Sequence, residues 1–400
     1  MLFHRRENVK KALLLCTSHN DLGLVQALRK LGYYIIATGN IENLPGQVWV
    51  DEWIKADYSD QQVILDIAKE KMIDNIVACC NDFGVYTAAY VAEKLGLPGY
   101  DSYETTLLLN NKDRFKKFAL ENDIQTPKSV GFTEEEEAHC VISKMELPLI
   151  VKPVDCSAGN GISVIKERDQ ADRAIKMAFE KSRARRIVVE PYITGSQHGF
   201  CTFLVNQKVV GYCSNNEYSF VNPFRVEIDT FPSDNSEECA PFLIEQIEKM
   251  AKILKLNDGI FHLQYIYQDG KPWIIEVMRR TLGNMYPVPG NRLTGIDWDY
   301  WEVRAKCGLE CKDIPIIKEE GFFAYKSLHA KENGIIDNIF IPEDYKKYIY
   351  KQYMLLKAGD EITAYEKQPV GFLFMMFSDM EQMKKILIED YRDDFVRISK

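Results

Sequence analysis

The 400-residue sequence predicts an α/β fold that opens on a doubly wound parallel sheet and continues into mixed α+β structure. Three observations carry this reading. The N-terminal quarter alternates short apolar runs with stretches of helical spacing. The middle then turns to strand–turn–strand. A strong hairpin signal, Asp269-Gly270, falls between two strand-like runs.

Taken in order, Lys11 to Cys16 is a short apolar strand and Leu22 to Leu31 a helix by spacing. Tyr33 to Thr38 is rich in aromatic and β-branched residues and reads as a strand, Gln61 to Lys71 as a helix. Asn75 to Cys80 is a buried strand and Asp82 to Leu95 a helix. Strands alternating with helices imply a parallel sheet, which binds ligands at the carboxyl ends of its strands. The first turn, Thr17 to Gly23, lacks GxGxxG, so a dinucleotide site is disfavoured. Lys112 to Glu121 is helical, and the acidic run Glu134 to Glu137 suits a helix N-terminus better than a metal. From Leu147 strands dominate: LPLIVKP, GISVIK, Ile187 to Glu190, Gly199 to Val205 and Val209 to Ser214. The helix Glu245 to Leu254 then leads into the hairpin Ile260–Tyr267 and Pro272–Val277. Trp298, Tyr300 and Trp301 are expected to pack a helix onto the core, and later strands fall near Phe322–Ser327 and Gly371–Phe377. The expected domains are 1–110, an N-terminal α/β unit, and 111–185, a small unit with a flexible loop. The range 186–310 is expected to hold the main site, and 311–400 a closing α+β region.

A formal net charge of −9 argues against a general nucleic-acid binder, which needs a basic surface to displace counterions. No run of about 18 apolar residues exists, so no membrane span is expected, and the N-terminus does not look like a signal peptide. Ten cysteines without a CxxC pair read as free thiols in a reducing cytoplasm.

Chemistry concentrates in four segments. Lys152 ends a strand ahead of the small-residue loop Ser157-Ala158-Gly159-Asn160-Gly161, which suits phosphate, although a plain hairpin loop carries the same glycines. Glu190-Pro191-Tyr192-Ile193 ends another strand, where backbone groups could read a flat ring. Gln264 and Glu276 lie on adjacent antiparallel strands and could offer oxygens to one hard cation. Arg279 and Arg280 follow, able to bind phosphate or carboxylate. His262 reads as a core histidine. His198 and Asn284 are weaker candidates for substrate contact.

In this order the segments resemble the ATP-grasp superfamily over about residues 10–310, with NDFG at Asn81–Gly84 and LGLPG at Leu95–Gly99 in familiar places. The resemblance implies an ATP-grasp fold and an ATP-dependent carboxylate–amine or –thiol ligase with an acylphosphate intermediate. It makes Lys112 and Lys152 the nucleotide lysines and Ser157 to Gly161 the phosphate flap. It makes Glu190 to Ile193 the adenine hinge and puts Gln197 at the ribose position. It makes Glu276 the main Mg²⁺ ligand, with Mn²⁺ as a substitute, and puts Arg280, helped by Arg279, at the transferring group. Small carboxylate and amine substrates and a homodimer are expected. Three positions depart from the family pattern: Gln264 and Gln197 replace acids, and Met278 replaces an asparagine. The alternatives are a bicarbonate-activating or carbamoyl-phosphate-type subunit, and a nucleotide-binding module without catalysis.

Overall fold

The computed structural model describes residues 9–156, 159–315 and 319–399. The chain opens with β1 (Lys11–Leu14), α1 (Leu22–Lys30), β2 (Tyr34–Gly39), β3 (Glu52–Lys55), α2 (Gln61–Lys71), β4 (Asn75–Val77) and α3 (Asp82–Leu95). The four strands form a parallel sheet in the order β3-β2-β1-β4. Alternation along β1 divides its side chains. Ala12 and Leu14 join the core on the α1 face, and Leu13 joins the opposite core with residues of α2 and α3. The sheet is therefore doubly wound, as expected. The strand β3 had no clear signal, because its Glu-Trp-Ile-Lys is only half-buried at a sheet edge.

Next come α4 (Tyr103–Asn110), α5 (Lys112–Glu121), β5 (Val130–Phe132), α6 (Glu135–Ile142), β6 (Leu149–Pro153), β7 (Ser163–Ile165), α7 (Ala171–Lys181) and β8 (Ile187–Pro191). The acidic run does open a helix: Glu135, Glu136 and Glu137 occupy the first turn of α6. The strands form a second sheet, β5-β8-β6-β7, with α6 and α7 on one face. Leu149 and Val151 face those helices, while Ile150 and Lys152 face the cleft on the other side.

The rest is built on β9 (Ser196–Val205), β10 (Lys208–Tyr218), β11 (Ile228–Phe231), α8 (Ser236–Leu254), β12 (Gly259–Gln268), β13 (Lys271–Met278), α9 (Pro287–Thr294), α10 (Trp298–Lys306) and β14 (Phe322–Leu328). The chain then gives β15 (Gly334–Ile339), α11 (Glu343–Lys346), β16 (Ile349–Met354), β17 (Glu361–Ile362), β18 (Gly371–Phe377), α12 (Met380–Lys384) and β19 (Val396–Ile398). Eight strands form one sheet, β13-β12-β9-β10-β11-β14-β18-β16, which continues across residue 310. One face packs α8 and α5 through Leu243, Ile247, Phe115 and Phe118. The other packs Tyr286, Trp298 and Trp301, with the two tryptophans on α10. Asp269 and Gly270 both have positive φ, 52° and 75°, as a tight two-residue hairpin requires. All ten cysteines are free. No helix among the described residues is long and apolar enough to cross a membrane.

Candidate active site

A cavity of 520 Å³ lies between the second sheet and the eight-stranded sheet, with the N-terminal sheet at one end. The carboxyl end of β4 supplies Cys80 and Asp82. Asp21, buried in the first turn, holds this corner by accepting from Ser18 Oγ at 2.6 Å and Cys80 N at 2.8 Å. Those bonds tie the first strand–helix turn to the last one of the parallel sheet.

A β-bulge sets the hairpin side of the cavity. Gln264 pairs with Glu276, but Tyr265 pairs with Ile274, so Ile275 is the extra residue. Bulges re-aim side chains beside functional sites. Here Ile274 turns to the α8 core, while Ile275, Glu276, Met278 and Arg280 line the cavity. Glu276 Oε2 lies 3.0 Å from Lys112 Nζ, at the start of α5. Burial pushes the Lys112 ammonium down, but Glu276 outweighs it and the net shift is upward. Arg280 Nε donates to Asp82 at 2.7 Å. Burial disfavours charge on both partners, yet each holds the other ionised.

Arg279 does not join them. It projects from the other side of β13 and donates to Asp101 at 3.0 Å, Ile260 O at 2.7 Å and Asn257 O at 2.6 Å. Its donors are engaged in the core, so the expected catalytic role at 279 gives way to a structural one. The reason is strand alternation: adjacent residues point to opposite faces.

Lys152 Nζ bonds to Glu190 Oε1, and Glu190 Oε2 lies 3.1 Å from Lys116 Nζ. All three side chains are almost completely buried. The Glu190 carboxylate is thus occupied by two lysines and is not free to read a base; Pro191, Tyr192 and Ile193 line the cavity beyond it. Burial favours the neutral carboxyl, but Lys116 and Lys152 overcome it and depress the pKa of Glu190. Burial lowers Lys116 itself to about 8. Lys116 was missed in the sequence, although it stands one helical turn beyond Lys112.

Gln197, Gln264, Asn284 and Gly159 also line the cavity. Gly159 has φ +70° and packs so closely on Phe224 that a Cβ would clash. Gly161, also left-handed at +78°, packs against Pro153 and Lys181. Ser157 lies outside the described residues. His198 points the other way from Gln197. It stacks on Tyr265 at 4.9 Å and meets Ser196 Oγ and Asn235 Nδ2, so the proposed substrate contact is not made. His262, read as a core residue, is indeed buried, yet it lines the cavity, and its Nδ1 has no partner among the described residues. Burial, then Arg280, lowers its pKa to about 3, keeping the ring neutral.

Two further carboxylates were not foreseen. Glu217 and Asp229 are direct cross-strand partners on β10 and β11, both buried and both lining the cavity. Gln264 Nε2 donates to both Glu217 oxygens, at 2.9 and 2.8 Å, and Asn215 Nδ2 donates to Asp229 Oδ1 at 3.0 Å. Burial raises Glu217 to about 7, and burial with the Glu217 charge raises Asp229 well above the ordinary range.

A cleft between two sheets, floored by lysines and closed by an acid and an arginine, has the charge pattern of an anion-binding site. Comparisons with known proteins bear on the fold. Residues 110–222 match the family model for the phosphoribosylglycinamide synthetase ATP-grasp (A) domain. The L-amino acid ligase of Bacillus licheniformis superposes with a TM-score of 0.83 at 18% identity, covering 98% of this chain and 99% of that one. The phosphoribosylglycinamide synthetase of Anaerococcus prevotii gives 0.76 at 20% identity, covering 98% and 100%. The carbamoyl phosphate synthase large chain of Clostridium acetobutylicum is 22% identical, covering 92% of this chain and 36% of that protein. The formate-dependent phosphoribosylglycinamide formyltransferase of Methanocaldococcus jannaschii is 28% identical, covering 46% and 48%. The chain therefore spans between a third and a half of these two curated relatives. Residues 110–222 thus resemble an ATP-grasp domain, and the fold of the whole chain is shared with an L-amino acid ligase and a phosphoribosylglycinamide synthetase.

Proposed function

We propose that the chain is an ATP-dependent ligase that joins a small carboxylate, such as an amino acid, to an amine through an acylphosphate. The observation that carries this reading is the 3.0 Å contact between Lys112 and Glu276, which brings α5 and the hairpin to one cleft beside Lys152 and Arg280. In this reading adenine lies against Pro191 to Ile193, and the triphosphate lies over Lys112 and Lys152 beneath the loop that ends in Gly159 and Gly161.

The donor set fits one hard divalent cation. Glu276 offers a carboxylate, and Gln264, its cross-strand partner, has its amide nitrogen directed to Glu217, leaving the carbonyl for an ion. Met278 offers only a thioether, a poor partner for Mg²⁺, so phosphate and water would complete the shell. Mg²⁺ held there, or Mn²⁺ in its place, supplies charge neutralisation at the phosphates.

The remaining work falls to the chain's own residues. Lys112 and Lys152 neutralise and orient the phosphates. Arg280, fixed by Asp82, faces the γ-phosphate and the attacking carboxylate, whose oxygen bonds to phosphorus as ADP leaves. The amine then attacks the acyl carbon and phosphate departs. Positioning and electrostatics supply most of the barrier reduction in such phosphoryl transfers. In this reading Glu217, whose pKa burial raises to about 7, takes the proton that the amine gives up.

A second reading, a nucleotide-binding module without turnover, is favoured by Met278 alone. ADP release measured across a panel of amino acids, each offered as acid and as amine, separates the two. Release that requires both an acid and an amine supports the ligase. ATP binding with no release under any pairing supports the module.

A further inference from the structure

Tyr325 on β14 faces the cleft, and the next residue, Lys326, faces the other way into a separate cavity of 230 Å³. Lys326 is only 2% exposed, yet its ammonium has no hydrogen bond or ion pair among the described residues. It sits 4.2 Å from the ring centroid of Tyr391 and 5.3 Å from that of Phe395. These rings offset part of the desolvation but offer no acceptor to three N–H donors. The ammonium reaches only the cavity, where a charged acceptor would bind it more strongly than solvent does.

The other charges facing the cavity already have partners. Lys331 and Asp393 pair at 2.6 Å at the half-exposed rim. Glu227 is buried and accepts from the backbone N–H groups of Phe220 and Val221 at 2.5 and 3.0 Å. His329 bonds to Ser327 Oγ and Tyr365 O, and burial, then Arg225, lowers its pKa to about 4, leaving it uncharged. Two cations thus meet two anions, so a simple anion would gain from Lys326 and lose to Glu227. A small molecule carrying both signs satisfies each. The volume is below the roughly 300–1,000 Å³ of drug-sized sites, which matches an amino-acid-sized ligand.

We propose that this cavity binds a free α-amino acid, its carboxylate on Lys326, its ammonium toward Glu227, and its side chain against Tyr391 and Phe395. The site is distinct from the nucleotide cleft and does not depend on the ligase reading. Burial, acting against the pull of Glu227, Asp393 and Asp394, lowers Lys326 to about 8, so its amine is open to labelling near neutral pH.

Reductive methylation of the full-length protein with formaldehyde and cyanoborohydride, read at Lys326 by mass spectrometry, tests this directly. L-alanine and L-leucine are the probes, with acetate and methylammonium as half-ligands. At an amino-acid concentration about ten times its Kd, labelling of Lys326 should slow about tenfold, and neither half-ligand should match it. The same protection should appear in Lys152→Met, which alters only the cleft. In Glu227→Gln the amino acids should protect no better than acetate. The proposal is overturned if neither amino acid protects Lys326, if acetate protects wild type equally well, or if Lys326 resists labelling without ligand.

Discussion

Lys116 and Lys152 share the single carboxylate of Glu190, which leaves one uncompensated positive charge in the buried wall of the cleft before any nucleotide binds. At 3.1 Å and an effective dielectric of about 20, the Lys116–Glu190 attraction alone is about 5 kcal/mol before desolvation is subtracted. Glu190→Gln removes the anion and leaves two buried ammonium groups facing each other. Breaking buried pairs in this way costs about 3–5 kcal/mol. Lys152→Met does the opposite, leaving Lys116 and Glu190 as a balanced pair, so stability should move by less than about 1.5 kcal/mol. Its cost falls on binding: one charged hydrogen bond to phosphate is worth about 1.5–3 kcal/mol, or roughly 10- to 150-fold in ATP affinity. Urea titration without nucleotide and calorimetry with a non-hydrolysable ATP analogue measure the two effects. The pH dependence has a definite sign. A lysine with a depressed folded pKa binds fewer protons folded than unfolded, so stability rises as pH passes that pKa toward the unfolded value. The Glu190→Gln deficit should therefore shrink between pH 7 and pH 9.5. The reasoning is refuted if Glu190→Gln costs less than about 1 kcal/mol, or if Lys152→Met destabilises just as much.

Arg280→Met should cut turnover by about 10²-fold or more with the fold intact, as loss of a charge-stabilising donor does. Arg279→Met should instead lower stability by about 3–5 kcal/mol, through the stranded Asp101, and leave turnover per folded molecule unchanged. Glu217 has a folded pKa near 7, above the unfolded value, so its burial destabilises the fold increasingly as pH rises from 4.5 through 7. Glu217→Gln should be more stable than wild type at pH 8 in urea titrations, with the gap closing toward pH 4.5; a constant gap contradicts this. Met278→Asn restores an oxygen donor beside Glu276 and should lower the Mg²⁺ concentration needed for half-maximal ADP release. An unchanged Mg²⁺ requirement would show that residue 278 does not face the ion.

Much of the fold could be read from local pattern. Gln61–Lys71, Asp82–Leu95 and Lys112–Glu121 coincide with the expected helices, because each has its own apolar stripe and a polar residue at its start. Lys112, Lys152, Glu276 and Arg280 do meet in one cleft, because each stands at the end of a strand or the start of a helix whose direction was already clear. What escaped depends on long-range register. Arg279 and Arg280 are indistinguishable by type, and only the bulge at Ile275 and the position of Asp101 decide which faces the cleft. Glu217 and Asp229 become a pair only when β10 meets β11, a register that the turn at Asn222-Pro223 does not reveal. Glu190 looks like a free carboxylate until Lys116 arrives from another element. Of the closing strands, β14 and β18 coincide with the expected runs, while β15, β16, β17 and β19 escaped, and β18 enters the large sheet between β14 and β16 out of chain order.

The most direct test follows oxygen. Amino acids labelled with ¹⁸O in the carboxylate, incubated with ATP, Mg²⁺ and an amine acceptor, should yield inorganic phosphate carrying one ¹⁸O per molecule released, because the attacking oxygen stays on phosphorus when the acylphosphate breaks. Phosphate released without the label would mean that water, not the acid, attacks ATP in this cleft, and would contradict the account at its centre.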